Sequence, residues 1–197
     1  MTNEKIEPIN PAKTALLVQD LQNGILGHVP EGEQLIAGVK HTIELLRSHG
    51  VTIGYVRVGF ADGDLDNVPA TSGMAKRVGA AAGTAFHADA YATQIHEDIA
   101  PQQGDIVVRK TRIGPFGSTD LHEQLQARGI DTLTITGIAT SGVVISTVRD
   151  AYDRDYRLIV LSDQTADSEP DVQEFLVTRL IPKQAEVITA AQLPDLM

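Results

Sequence analysis

The sequence contains no cysteine and no tryptophan, and aromatic residues of any kind make up only 4% of its 197 residues. Without cysteine there is no disulfide, no thiolate metal ligand and no thiol nucleophile. Long apolar runs are missing too. No segment approaches the roughly 20 apolar residues a membrane helix needs, and the start MTNEKIEPIN has no signal-peptide apolar core. Positive charge is in short supply: 16 Lys and Arg face 26 Asp and Glu, a formal net charge of −10. That balance argues against attraction to nucleic acid or anionic lipid, while leaving room for a locally positive pocket. The expectation is a soluble, cytoplasmic protein that meets a small-molecule substrate and neither nucleic acid nor membrane.

What remains is a globular composition, 42% hydrophobic and 21% charged, in a length that suits one domain over residues 1–197. Short β-rich runs alternate with helical stretches. Strands are predicted at Ala15–Val18, Val51–Val58, Ile106–Val108, Thr132–Thr136, Leu158–Leu161 and Ala185–Ile188. A turn-like stretch runs from Gly24 to Pro30. From Glu31 to Ser48, Leu35, Ile36, Val39, Ile43 and Leu46 share one helical face, and Gly50 is a plausible stop. Further helices are predicted from Thr119 to the stop at Gly129, over Ser141–Asp155, and from Glu169 onward, where Pro170 and Asp171 suit a helix start. The segment from Gly59 to Pro101 is the least regular, and a loop of that length usually carries function or oligomer contacts. Such alternation predicts a parallel sheet covered on both faces, with ligands bound beyond the carboxyl ends of its strands.

Three places at those strand ends carry chemistry. Asp20 follows the first strand, with Gln22 close behind; an Asp there is more often a cap or turn former than a catalyst. Lys110 follows the third strand beside Arg109 and Arg112, which makes either a solvated face or an anion site. The TGIATSGVV turn opens a helix whose amides from about Thr140 to Val144 could hold an oxyanion or carboxylate, unless Thr140 or Ser141 simply caps it.

The blocks ALLVQDLQNGI, VVRKTRIGPFGSTDL and TGIATSGVVISTVRDAYDRDYRLIVLSDQTAD, in that order, resemble the signature blocks of the isochorismatase-like hydrolases. The resemblance runs from about Ala15 to the last strand. It implies a three-layer α/β/α sandwich around a six-stranded parallel sheet and a homodimer or homotetramer. It maps the family's acid/base aspartate onto Asp20 and its lysine onto Lys110, and suggests a non-proline cis peptide near Ile138–Ala139. In amidase members of the family a nucleophilic cysteine opens the helix after this turn; here its position falls on Val143. An acyl-enzyme route is therefore not expected, and a neighbouring hydroxyl such as Thr140 or Ser141 would need its own activating base.

The metal-binding branch of the family has Asp and two His after the second strand. RVGFADGDLDNVPA has three aspartates and no His, and His87 and His96 show no ligand pattern, so neither metal nor cofactor is expected. The implied chemistry is that of isochorismatases: hydrolysis of a vinyl ether on a small anionic metabolite, with Asp20 as general acid raised by burial. Lys110 orients it or binds a carboxylate, with Gln22, Arg112, Phe60, Phe116, Ala139, Thr140 and Val143 as the surrounding binding residues. For Phe60 and Phe116, core packing is the plainer reading. The competing reading is a non-catalytic relative that binds a small molecule or builds an oligomer.

Overall fold

The structure, a computed structural model, describes residues 6–29, 32–82 and 85–197. The six apolar runs form six strands: β1 Thr14–Gln19, β2 Thr52–Val58, β3 Ile106–Lys110, β4 Thr132–Ile138, β5 Arg157–Ala166 and β6 Glu186–Ile188. All neighbours pair in parallel, in the order β3-β2-β1-β4-β5-β6. Between them run α1 Gly32–Ser48, α2 Gly73–Ala82, α3 Leu121–Ala127, α4 Ile145–Tyr152 and α5 Pro170–Phe175.

The period-two alternation of β1 explains the layering. Leu16 and Val18 face a core shared with Leu35, Ile36, Val39, Ile43 and Leu46 of α1. Ala15 and Leu17 face the opposite core, with Leu121 and Leu125 of α3 and Val148 and Ala151 of α4. Every residue of β1 and β4 is buried, as central strands covered on both faces must be. The expected three-layer α/β/α arrangement is therefore what the chain adopts. No helix among the described residues is long and apolar enough to cross a membrane.

The sheet grows outward from β1 to β3, then resumes on the other side of β1 with β4. Such a reversal opens a crevice at the carboxyl ends of the two central strands, because consecutive connections leave in opposite directions. At its floor, Gly137 of β4 lies opposite Gln19 of β1 with φ of 139°. A Cβ on Gly137 would stand 2.2 Å from the Gln19 carbonyl oxygen, so only glycine allows this approach.

Several boundaries differ from the sequence expectation. The expected strand Leu158–Leu161 continues to Ala166, because the polar residues that seemed to end it find partners inside: Gln164 is buried and donates to the Thr42 hydroxyl at 2.7 Å. The Gly59–Pro101 segment contains α2. The helix expected over Ser141–Asp155 begins with a wide π turn, Thr140–Val144, and is α-helical only from Ile145 to Tyr152. The expected end of the first turn at Pro30 and the helix start at Glu31 lie outside the described residues.

Gly137→Ala is expected to lower the unfolding free energy by at least about 2 kcal/mol, since it combines a forbidden contact with a strained φ. The urea midpoint at unchanged m-value measures this.

Candidate active site

Asp20 comes directly after β1 in the left-handed region, with φ of 54°, a conformation its short polar side chain tolerates better than most. Its amide donates to the Val56 carbonyl at 2.8 Å, and its carbonyl accepts from the Gln22 amide at 2.9 Å, so the turn is held on both sides. Lys110 closes β3, at the edge of the sheet. Its side chain crosses the end of β2, and Nζ lies 2.8 Å from Asp20 Oδ2. Both groups are buried, Asp20 at 5% and Lys110 at 3% exposure. The lysine also donates to the Arg112 carbonyl at 3.3 Å, which anchors the chain leaving β3.

The second carboxylate oxygen, Asp20 Oδ1, is buried without a hydrogen-bond partner. Burial pushes the Asp20 carboxyl up from its ordinary range; the charge and hydrogen bond of Lys110 pull it down, and burial prevails. A carboxyl that retains its proton more readily than usual, with one oxygen unclaimed, is suited to donating or accepting a proton at that oxygen.

The pair lines a pocket of about 510 Å³, with Arg112, Phe60, Ala139 and Val143 among its walls. Six of the nine residues singled out from the sequence thus meet in one cavity. The peptide bond between Ile138 and Ala139 is cis.

Three do not line it. Gln22 is fully buried and its amide is committed: Nε2 donates to the carbonyls of Val58 (2.7 Å) and Thr93 (2.6 Å), and Oε1 accepts from the Val58 amide (2.8 Å). Phe116 belongs to the core on the far side, stacked on Tyr156 and covered by the Arg154 guanidinium. Thr140 is wholly buried, its hydroxyl without a partner among the described residues. The expected anion cradle of free amides is largely occupied. Ser141 N–H donates to the Asp167 carboxylate at 2.7 Å, and the amides of Gly142 and Val144 donate to the Ala139 carbonyl.

Met74, Val78, Phe86 and Ile113 also form part of the apolar wall, and the sequence reading missed them. The i, i+4 spacing of Met74 and Val78 within a Gly- and Ala-rich stretch was the available signal for the first two. The aspartate-rich loop has a structural use: Asp64 accepts from the Ala61 amide and pairs with Arg109. His87 and His96 each accept, through Nδ1, an amide two residues on, at Asp89 and Asp98. Among the described residues no group of three or more His, Asp or Glu is arranged to hold a metal ion.

Residues 14–192 match the family model for the isochorismatase domain. The chain belongs to the isochorismatase family. It is 33% identical to the isochorismatase family protein YwoC of Bacillus subtilis, over 87% of each chain. It is also 33% identical to the ureidoacrylate amidohydrolase RutB of Caulobacter vibrioides, over 83% of this chain and 81% of that one. Among solved structures, a cysteine hydrolase from Pseudomonas syringae pv. phaseolicola superposes with a TM-score of 0.85 at 27% identity, over 98% of this chain and 96% of that one. The pocket is walled in part by Val143, and the chain has no thiol.

Lys110→Met leaves the Asp20 carboxyl buried alone. The folded protein then holds the Asp20 proton to a still higher pH than the unfolded chain does. That contribution is present below the unfolded value and is lost as pH rises through the folded one. The variant is therefore expected to lose more stability at pH 8 than at pH 5, with a loss of about 3–5 kcal/mol for the unpaired charge. Urea unfolding at both pH values checks it, and adding Asp20→Asn is expected to remove the pH dependence.

Proposed function

We propose that the protein hydrolyses a small, anionic metabolite by Asp20-centred acid/base chemistry with water as the only nucleophile. The observation that carries this is the buried Asp20–Lys110 pair on the wall of a formed pocket, with an unclaimed carboxylate oxygen. In the motif resemblance Val143 takes the position where amidase members hold their cysteine, and valine offers neither a nucleophile nor a proton. The reading best suited to that combination is vinyl ether hydrolysis of the isochorismatase kind.

In this reading the Asp20 carboxylic acid gives its proton to the enol carbon, leaving an oxocarbenium ion and the Asp20 carboxylate. Water adds to the cationic carbon and returns a proton to Asp20. The hemiketal so formed collapses to a ketone and an alcohol. Lys110 remains charged throughout and stabilises the carboxylate that appears when the proton leaves. Phe60, Ile138 and Val143 keep bulk water from the cation except where one molecule is admitted.

The likeness to an amidohydrolase supports a second reading, in which the Asp20 carboxylate acts as a base and drives water directly onto an amide or ureido carbonyl. A non-catalytic binding relative is the third. Turnover of isochorismate, ureido acids and simple amides separates the three. Asp20→Asn is expected to lower kcat/KM for the accepted substrate by at least about 100-fold. Activity lost as pH rises through the Asp20 value marks the acid role, and activity lost as pH falls marks the base role. Unchanged turnover in Asp20→Asn would sink both catalytic readings.

A further inference from the structure

The charges around the pocket are unevenly distributed. Lys110 and Asp20 lie 2.8 Å apart, so the cation at the floor is already engaged by a side chain of the protein. Arg112 sits on the rim, exposed, with its guanidinium donating to the Thr111 carbonyl and hydroxyl at 2.7 and 3.3 Å. It forms no ion pair among the described residues. Asp64 of the aspartate-rich loop is already engaged by Arg109. The backbone at Arg112 is held by Lys110, which donates to its carbonyl.

Besides the buried pair and this rim cation, the lining is mainly apolar, with Phe60, Phe86, Met74, Val78, Ile113 and Val143 among its walls and His28 and Ser168 as its other polar side chains. Phe86 and Ile113 are 36% and 43% exposed, a surplus of apolar surface at the mouth that a ligand would cover. The sole orphaned polar atom on the pair is Asp20 Oδ1. Three demands are therefore set in space: a hydrogen-bonding group at Asp20, an apolar body along the walls, and a negative charge at Arg112.

Resting on the reading of this pocket as the reacting site, we infer that its substrate is an amphipathic monoanion. Its polar reacting end meets Asp20, its apolar body of about aromatic size packs against Phe60, Phe86 and Met74, and its carboxylate pairs with Arg112. A doubly charged, fully polar acid of the same length satisfies Arg112 but leaves the apolar walls uncovered and sets its second charge beside them. The position that carries Val143 becomes a surface that grips the substrate's body.

Met74 provides a local probe, since the chain has only three methionines. Protein labelled with ¹³C at the methionine methyls is titrated with 3-phenylpropionate, with 3-phenylpropanol and with succinate. The Met74 resonance is expected to shift with 3-phenylpropionate at an affinity at least about tenfold above that for succinate. Arg112→Gln is expected to weaken 3-phenylpropionate by about fivefold or more while leaving 3-phenylpropanol unchanged. Phe86→Ala is expected to weaken both phenyl compounds. Succinate binding as tightly as 3-phenylpropionate, an unchanged affinity in Arg112→Gln, or no shift of Met74 with any of the three would each overturn the inference. None of these ligands has a bond to hydrolyse, so binding is scored apart from turnover. If Asp20→Asn left turnover intact, the chemical reading would fail while the binding result stood.

Discussion

A carboxylate and an ammonium withdrawn from water are stable only as a pair, and the pairing of Asp20 with Lys110 governs the whole carboxyl end of this sheet. Each ion alone would lose several kcal/mol of hydration on burial, which their mutual attraction offsets only at contact distance. The 2.8 Å separation spans three strands, because Lys110 ends the edge strand and Asp20 follows a central one. Any slip in the register of β1, β2 or β3 would therefore break the pair. That makes the close packing beneath it significant. The glycine at 137 lets β4 close against β1 at Gln19, and the turn at Asp20 is tied to Val56 of β2.

Around the pair, polar side chains that resemble catalytic groups serve mainly to hold backbone. Gln22 joins the end of β2 to the chain near Thr93 through three hydrogen bonds. The Thr93 hydroxyl donates to the His87 carbonyl at 2.7 Å, and the Arg57 guanidinium donates to the Ala88 carbonyl at 2.9 Å. These contacts fasten an irregular strap whose own regular structure is limited to two short 3-10 turns and two isolated bridges, which leaves many of its backbone groups to side chains. The strap carries Phe86 to the pocket, and Phe60 is bonded to it through Phe86 and Ala88. Asp167 plays the corresponding part on the other side by binding the Ser141 amide. A side chain whose every donor and acceptor is committed to backbone has none left for a substrate.

The chemistry then narrows to what the walls allow. Thiol chemistry is closed by composition, and Val143 turns one wall into an apolar contact. At the floor remains the Asp20 carboxyl, raised from its ordinary range by burial, beside Lys110. Among hydrolytic routes, those that move one proton and use free water are compatible with that inventory.

Much of this was legible in the order of residues, for identifiable reasons. Apolar runs of four to eight residues separated by amphipathic stretches leave a parallel sheet as the economical way to bury both faces, and Leu35 to Leu46 named the covering face of α1 in advance. The family resemblance of the three motif blocks pointed to Asp20, Lys110 and the cis turn, each within a few residues of a strand end. The extension of β5 through Gln164 was not legible, since the partner that makes its polar residues tolerable is Thr42, 122 positions away. Nor were the places of Gln22, Phe116 and the pocket wall at Met74, Val78 and Phe86. An amide side chain or a phenyl ring has the same local preferences in a pocket as in a core. Only distant segments folding against it decide which of the two it meets. Local pattern thus settled the strands and composition the missing thiol, while long-range packing decided which of the remaining side chains line the pocket.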